Sequence, residues 1–152
     1  MYTWPTEHRR ARRFFPSPMI VSRTPFRVTL GGGGTDLPSF YEKHGGFVLA
    51  MAIDKYMYVI LNVPNADRLI RLHYTKSETV AHVDQLQHEL AREALRAHGI
   101  HDAIEIASVA DLPAGTGLGS SSCYLVGLLS AIRAYFLRPV PLPNRAEAAC
   151  HF

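Results

Sequence analysis

Between Pro113 and Ser122 the chain reads Pro-Ala-Gly-Thr-Gly-Leu-Gly-Ser-Ser-Ser, a set of residue types suited to holding a polyanion. Glycines lack a Cβ and let the backbone approach a phosphate closely, while the unpaired N–H groups that open a following helix point at it. The positive end of such a helix adds about 0.3–1 kcal/mol for an anion placed there. The hydroxyls of Ser120, Ser121 and Ser122 can reach phosphate oxygens and the shell of a magnesium ion. A Walker loop requires Gly-Lys-Ser/Thr, and this stretch has no lysine. A dinucleotide fingerprint wants an acid about 20 residues later for the ribose. None lies between Asp111 and Glu147. A flexible glycine-serine linker is the plain alternative.

The elements around the loop suit a cradle. Ala103 to Val109 reads as a short strand with Ile104 and Ile106 on one face, and it leads into the loop. Ser120 to Leu137 carries Leu125, Leu128, Leu129, Ile132 and Phe136 on one stripe and is stopped by Pro139, which predicts a helix. Ser120 is equally placed to cap that helix.

A second glycine run, Gly31 to Gly34, follows an extended stretch from Ile20 to Leu30. Asp36 is placed to cap a short helix from Leu37 to His44, with Pro38 in its first turn and Gly45-Gly46 at its end. Two strands are predicted next, Phe47 to Ile53 and Tyr56 to Val63, turning at Asp54-Lys55. Pro64 to Asp67 is a turn signal, and Leu69 to Tyr74 alternates as a half-buried strand does. Val83, Leu86, Leu90, Ala94 and Leu95 predict one amphipathic helix closed by Gly99. Its face of Glu89, Arg92, Glu93 and Arg96 reads as solvated charge. His73, His82, His88, His98 and His101 form no metal-ligand pattern and are expected on the surface, and Met51 and Met57 are expected to fill core. Asn144 with Glu147 has the pattern of a capping box that opens a further helix. Strands interleave with helices without regular alternation, so the fold class is α+β, a layered sheet and helices.

The 152 residues, 47% hydrophobic and 19% charged, suffice for one domain with a core. The net charge of +3 sits in the first 18 residues, where Arg9, Arg10, Arg12 and Arg13 face only Glu7; the remaining basic and acidic side chains balance. Residues 1–18 are therefore expected to be a disordered basic leader, with Met19 as an alternative start, and residues 19–152 the folded domain. No apolar run approaches the roughly 20 residues of a membrane span. No secretory segment is evident, and two cysteines, Cys123 and Cys150, suit a reducing cytoplasm. Neither nucleic acid nor membrane is expected as a partner.

Pro113 with Gly117-Leu118-Gly119-Ser120-Ser121-Ser122 resembles the central ATP-binding motif of the GHMP kinases. Pro25-Phe26-Arg27-Val28-Thr29-Leu30, running into Gly31 to Asp36, is similar to that family's first motif, in the right order. From about Val21 onward the chain looks most like the bacterial D-glycero-D-manno-heptose 7-phosphate kinases, through Gly31-Gly32-Gly33-Gly34-Thr35-Asp36-Leu37-Pro38, Tyr41, Gly45-Gly46 and Ala52 to Tyr56. Galactokinases typically carry Glu-His where Gly33-Gly34 stand, which argues against galactose.

The resemblance implies an N-terminal domain of the ribosomal-protein-S5-domain-2-like fold, an ATP and Mg²⁺ requirement, and transfer of the γ-phosphate to a sugar phosphate in the cytoplasm. It implies that Pro113, Gly115, Gly117, Leu118, Gly119, Ser120, Ser121 and Ser122 hold the nucleotide, with Ser121 also on Mg²⁺. Gly33, Gly34, Thr35 and Asp36 would contact the sugar, although Asp36 could equally serve as a cap. Arg27 matches a basic position near the transferred phosphate; an ion pair with a surface acid is its alternative. In the family a catalytic aspartate, a third glycine-rich motif and the C-terminal domain come after the helix that Asn144 opens. The 152 residues are therefore expected to be incomplete and inactive alone. A non-catalytic module that binds sugar and nucleotide is the competing reading.

Overall fold

The structure is a computed structural model that describes residues 19–64 and 66–135. The expected leader, Asn65 of the turn signal, Phe136, the capping box at Asn144 and Cys150 lie outside the described residues.

A five-stranded sheet in the order β1-β2-β5-β3-β4 carries two of its helices on one face. Strand β1 (Ile20–Gly31) pairs antiparallel with β2 (Leu49–Asn62), and β2 pairs antiparallel with β5 (Ile104–Ala110). Strand β3 (Ile70–His73) runs parallel to β5 and antiparallel to the edge strand β4 (Ser77–Val80). The buried face presents Phe26, Val59, Leu61, Ile70, Leu72, Ile104 and Ile106. Against it pack Ala91, Ala94 and Leu95 of helix α2 (Glu89–Ala97) and Leu125, Leu128, Leu129 and Ile132 of helix α3 (Ser120–Tyr135). Each fully buried Leu or Ile contributes on the order of 1.5–3 kcal/mol by leaving water.

Four sequence readings need correction. Asp54-Lys55 is not a turn between two strands, because β2 is continuous. The β1–β2 register steps from Pro25 opposite Tyr56 to Arg27 opposite Ala52, so Ile53, Asp54 and Lys55 bulge opposite Phe26. Long β1 pairs with β2 on both sides of this irregularity and holds the break signal inside the ladder. The helix expected from Val83 is also divided. Val83–Gln85 forms a separate 3-10 turn closed by a His82/Gln85 capping box, and α2 starts afresh after His88. His98 is buried, with Nδ1 2.8 Å from the Ala94 carbonyl. Met57 is core, but Met51 is exposed.

The short helix is present as α1 (Pro38–His44), with Pro38 in its first turn and the Gly45 N–H closing onto the Tyr41 carbonyl. It buries none of its residues. The charged face of α2 is solvated as expected, with Arg96 bonded to Asp84 and to Glu93. Among the described residues no helix is long and apolar enough to cross a membrane.

Candidate nucleotide site

The loop between β5 and α3 starts where β5 ends. Asp111 accepts the Tyr56 N–H through Oδ2 at 2.8 Å and returns its own N–H to the Tyr56 carbonyl at 3.0 Å. The β2 bulge thereby anchors the first residue of the loop, a role the sequence reading left unassigned to Asp111. Pro113 to Gly119 then turns through three positive-φ glycines, Gly115 (84°), Gly117 (73°) and Gly119 (77°), a conformation that strains any residue with a Cβ. The Thr116 hydroxyl donates back to the Pro113 carbonyl at 3.3 Å.

Helix α3 opens with the Cys123 N–H bonded to the Gly119 carbonyl at 2.9 Å. Gly119 therefore stands at the cap, and Ser120 is the first helical residue. The capping alternative for Ser120 is not realised. The hydroxyls of Ser120, Ser121 and Ser122 make no hydrogen bond among the described residues. They share the helix end with N–H groups that have no intrahelical acceptor.

Edge strand β1 runs alongside this helix start. The Arg27 N–H reaches the Leu118 carbonyl at 3.5 Å, and the Cys123 thiol donates to the Pro25 carbonyl at 3.3 Å. Burial pushes the Cys123 thiol up, with the Arg27 guanidinium acting in the opposite sense. A Cβ built on Gly119 would lie 3.4 Å from Arg27 Nε. The two motifs are thus in contact, through Arg27 and Gly119. The guanidinium donates to Thr29 Oγ1 at 2.6 Å and forms no ion pair with a carboxylate among the described residues. The surface-acid alternative for Arg27 is therefore not what the structure holds.

The glycine run after β1 is shaped by its neighbours. Gly32 has φ 79°, and a Cβ there would fall 1.8 Å from the Phe47 carbonyl oxygen. Thr35 Oγ1 lies 2.7 Å from the Gly32 carbonyl and 2.9 Å from that of Phe47, and accepts the Phe47 N–H at 3.1 Å. Asp36 does not cap α1. The position before the helix belongs to Leu37, and Asp36 Oδ1 instead accepts the Gly34 N–H at 3.0 Å, closing the run. Gly33, Gly34 and Asp36 are exposed. Between the two loops stand Thr29 and Arg27, bonded to each other: a Cβ on Gly33 would lie 3.7 Å from Thr29 Cγ2, and one on Gly119 3.4 Å from Arg27 Nε.

Beside the loop opens a cleft of about 720 Å³, lined by Pro113, Ala114, Ser120 and Ser121 on one wall and by Tyr74, His88 and Tyr124 among others. The rings of His88 and Tyr74 meet edge to face at 4.8 Å, and those of His88 and Tyr124 lie 5.0 Å apart. His88 Nδ1 accepts the Ala91 N–H at 3.3 Å as the N-cap of α2, and burial pushes its pKa below the usual range. Tyr74 donates to Glu78 at 2.8 Å. The Tyr124 hydroxyl is buried without a partner among the described residues, and burial raises its pKa. These aromatic residues come from three separate elements or loops, and no local sequence signal groups them.

The helix-opening amides, the serine hydroxyls without a partner among the described residues, the positive-φ glycines and a guanidinium with no carboxylate partner among those residues together suit a nucleoside polyphosphate. No group of three His, Cys, Asp or Glu side chains that could hold a metal occurs among the described residues. A magnesium ion here would be held chiefly by phosphate oxygens and water, with one serine hydroxyl from the protein, as this ion commonly is.

Residues 80–151 match the family described as GHMP kinases N terminal domain. The chain is 24% identical over 135 residues to D-glycero-alpha-D-manno-heptose 7-phosphate kinase of Campylobacter jejuni subsp. jejuni serotype O:2, covering 80% of this chain and 39% of that protein. Among solved structures it is similar to a D-glycero-D-manno-heptose 1-phosphate kinase from Bacteriodes thetaiotaomicron (TM-score 0.73, 24% identity, 87% of this chain, 46% of that one). It is also similar to the Methanococcus jannaschii mevalonate kinase (TM-score 0.64, 18% identity, 87% of this chain, 45% of that one). The chain spans less than half the length of these relatives.

Proposed function

We propose that this protein is the nucleotide-binding portion of an ATP-dependent sugar kinase of the GHMP type. The observation that carries this reading is the placement of the Arg27 guanidinium beside Gly119, which puts a cation with no carboxylate partner among the described residues at the opening of α3. The base of ATP lies in the aromatic cleft beside Pro113 and Ser120, and its phosphates run over the loop amides toward Arg27. Ser121 supplies a hydroxyl to Mg²⁺, which neutralises phosphate charge when bound. Arg27 spreads positive charge over the transferred group, where phosphoryl transfer needs positioning and electrostatic stabilisation. Gly33, Gly34 and Asp36 face the sugar, and Thr35, whose hydroxyl is bonded to Gly32 and Phe47, shapes the run beside it.

The acceptor we propose is heptose 7-phosphate, giving a 1,7-bisphosphate, in the cytoplasm where ATP and sugar phosphates occur together. The first-motif sequence and the relative from Campylobacter jejuni support this choice. The resemblance locates the catalytic aspartate C-terminal to the Asn144 to Glu147 pattern, and a general base is commonly worth about 10²–10⁴-fold in rate. Binding without turnover is therefore expected of residues 1–152.

Calorimetric titration with MgATP, followed by ADP release with heptose 7-phosphate, tests the proposal. MgATP should bind and Ser121→Ala should weaken it. Failure to bind MgATP, or tighter binding of NADH, sinks the reading. Turnover abolished by Ser121→Ala would support the kinase and overturn the placement of the base beyond Phe152.

A further inference from the structure

Thr29 lies two residues beyond Arg27 on β1, so both side chains leave the strand on one face. Its Oγ1 accepts from Arg27 Nη1 at 2.6 Å, the single hydrogen bond that this guanidinium makes among the described residues. Its methyl group faces the first glycine run, 3.7 Å from where a Cβ of Gly33 would stand. Gly119 closes the guanidinium from the other loop, where a Cβ would come within 3.4 Å of Nε and 3.5 Å of Cζ. An arginine without such contacts samples many rotamers and must be ordered whenever a ligand binds. Here one hydroxyl holds the cation, and the absent side chain of Gly119 leaves it room.

We propose that Thr29 is a positioning residue: its hydroxyl presets the Arg27 guanidinium toward the end of the phosphate chain before nucleotide arrives. The inference rests on the reading of the 113–122 loop as the nucleotide site. It predicts that Thr29 governs the terminal phosphate specifically and leaves the base and the inner phosphates alone.

The test measures the affinity of the 152-residue chain for MgADP and for the magnesium complex of a non-hydrolysable ATP analogue. The wild type should prefer the analogue. Thr29→Val should lose about tenfold of that preference, the scale of one hydrogen bond to a charged group. Its MgADP affinity should stay the same, Thr29→Ser should keep the preference, and Arg27→Met should set the floor. A Thr29→Val protein with the wild-type preference overturns the inference. So does equal weakening of both ligands, which is what general structural damage produces. Should Thr29→Val not fold, Thr29→Ala carries the same comparison. A wild-type chain that binds neither nucleotide overturns the nucleotide-site reading itself, and the inference with it.

Discussion

The Arg27 guanidinium lies over the side of Gly119 from which a side chain would leave, at the junction of β1 and α3: a Cβ on Gly119 would stand 3.4 Å from Arg27 Nε. Gly119 also has φ 77°, the backbone constraint that selects glycine there. Gly115 has φ 84° but open space around it. Alanine at either site incurs left-handed strain of roughly 1–2 kcal/mol. Only Gly119→Ala should also displace the guanidinium. Denaturant unfolding should therefore show similar losses for the two variants, while MgATP titration should show the larger loss for Gly119→Ala. Equal losses of affinity would remove the proposed role of the contact.

Gly32 and Gly34 make a second such pair in the first loop. A Cβ on Gly32 meets the Phe47 carbonyl oxygen at 1.8 Å, whereas Gly34, with φ 90°, has nothing within 4 Å. Backbone cannot give way as a flexible side chain can. Gly32→Ala should destabilise the chain by at least about 2 kcal/mol, and Gly34→Ala by about 1 kcal/mol. Thermal and denaturant unfolding of both variants decides the order.

His98 should make stability depend on pH. Burial, with Arg133 acting in the same sense, pushes its pKa below the ordinary 6.5. The unfolded chain then takes up a proton that the native state resists, so ν in the unfolded state exceeds ν in the native state below that pH. Its stabilising contribution is complete above about pH 6.5 and falls as the medium becomes more acidic. His88, also shifted down by burial, acts in the same direction. Unfolding midpoints between about pH 8 and pH 5 should drop toward the acid end, and His98→Gln should flatten the slope. An unchanged slope would show that His98 is not held neutral.

Tyr124 carries a buried hydroxyl without a partner among the described residues. Phenylalanine keeps the ring against His88 and removes a desolvated polar group. Tyr124→Phe should therefore raise stability by up to about 1 kcal/mol. A loss of similar size in the same unfolding measurement would mean that water in the cleft satisfies the hydroxyl.

Much of this architecture was legible locally. Strand β1 and helix α3 were read correctly because alternation and a long apolar stripe report burial directly. Pro38 and Gly45 marked α1 because their backbone preferences are intrinsic. Strand β4 was missed: Ser77, Glu78 and Thr79 carry no apolar pattern, and pairing with β3 alone makes them a strand. The split of α2 was hidden because Val83 and Leu86 do face the core at helical spacing, though from a separate turn. Asp36 has the composition of a cap, yet Gly34 offers it a nearer N–H.

The sequence by itself determined which residues can hold a polyphosphate, since glycine's positive φ, serine's hydroxyl and a helix's unpaired amides are local properties. Only the tertiary structure decided that Arg27 lies beside Gly119, that Thr29 holds the guanidinium, and that Tyr74, His88 and Tyr124 wall a common cleft. These relationships depend on strand register and on the packing of α3 along β1. Register and packing minimise free energy over contacts between residues far apart in the chain, which no window of neighbouring residues contains.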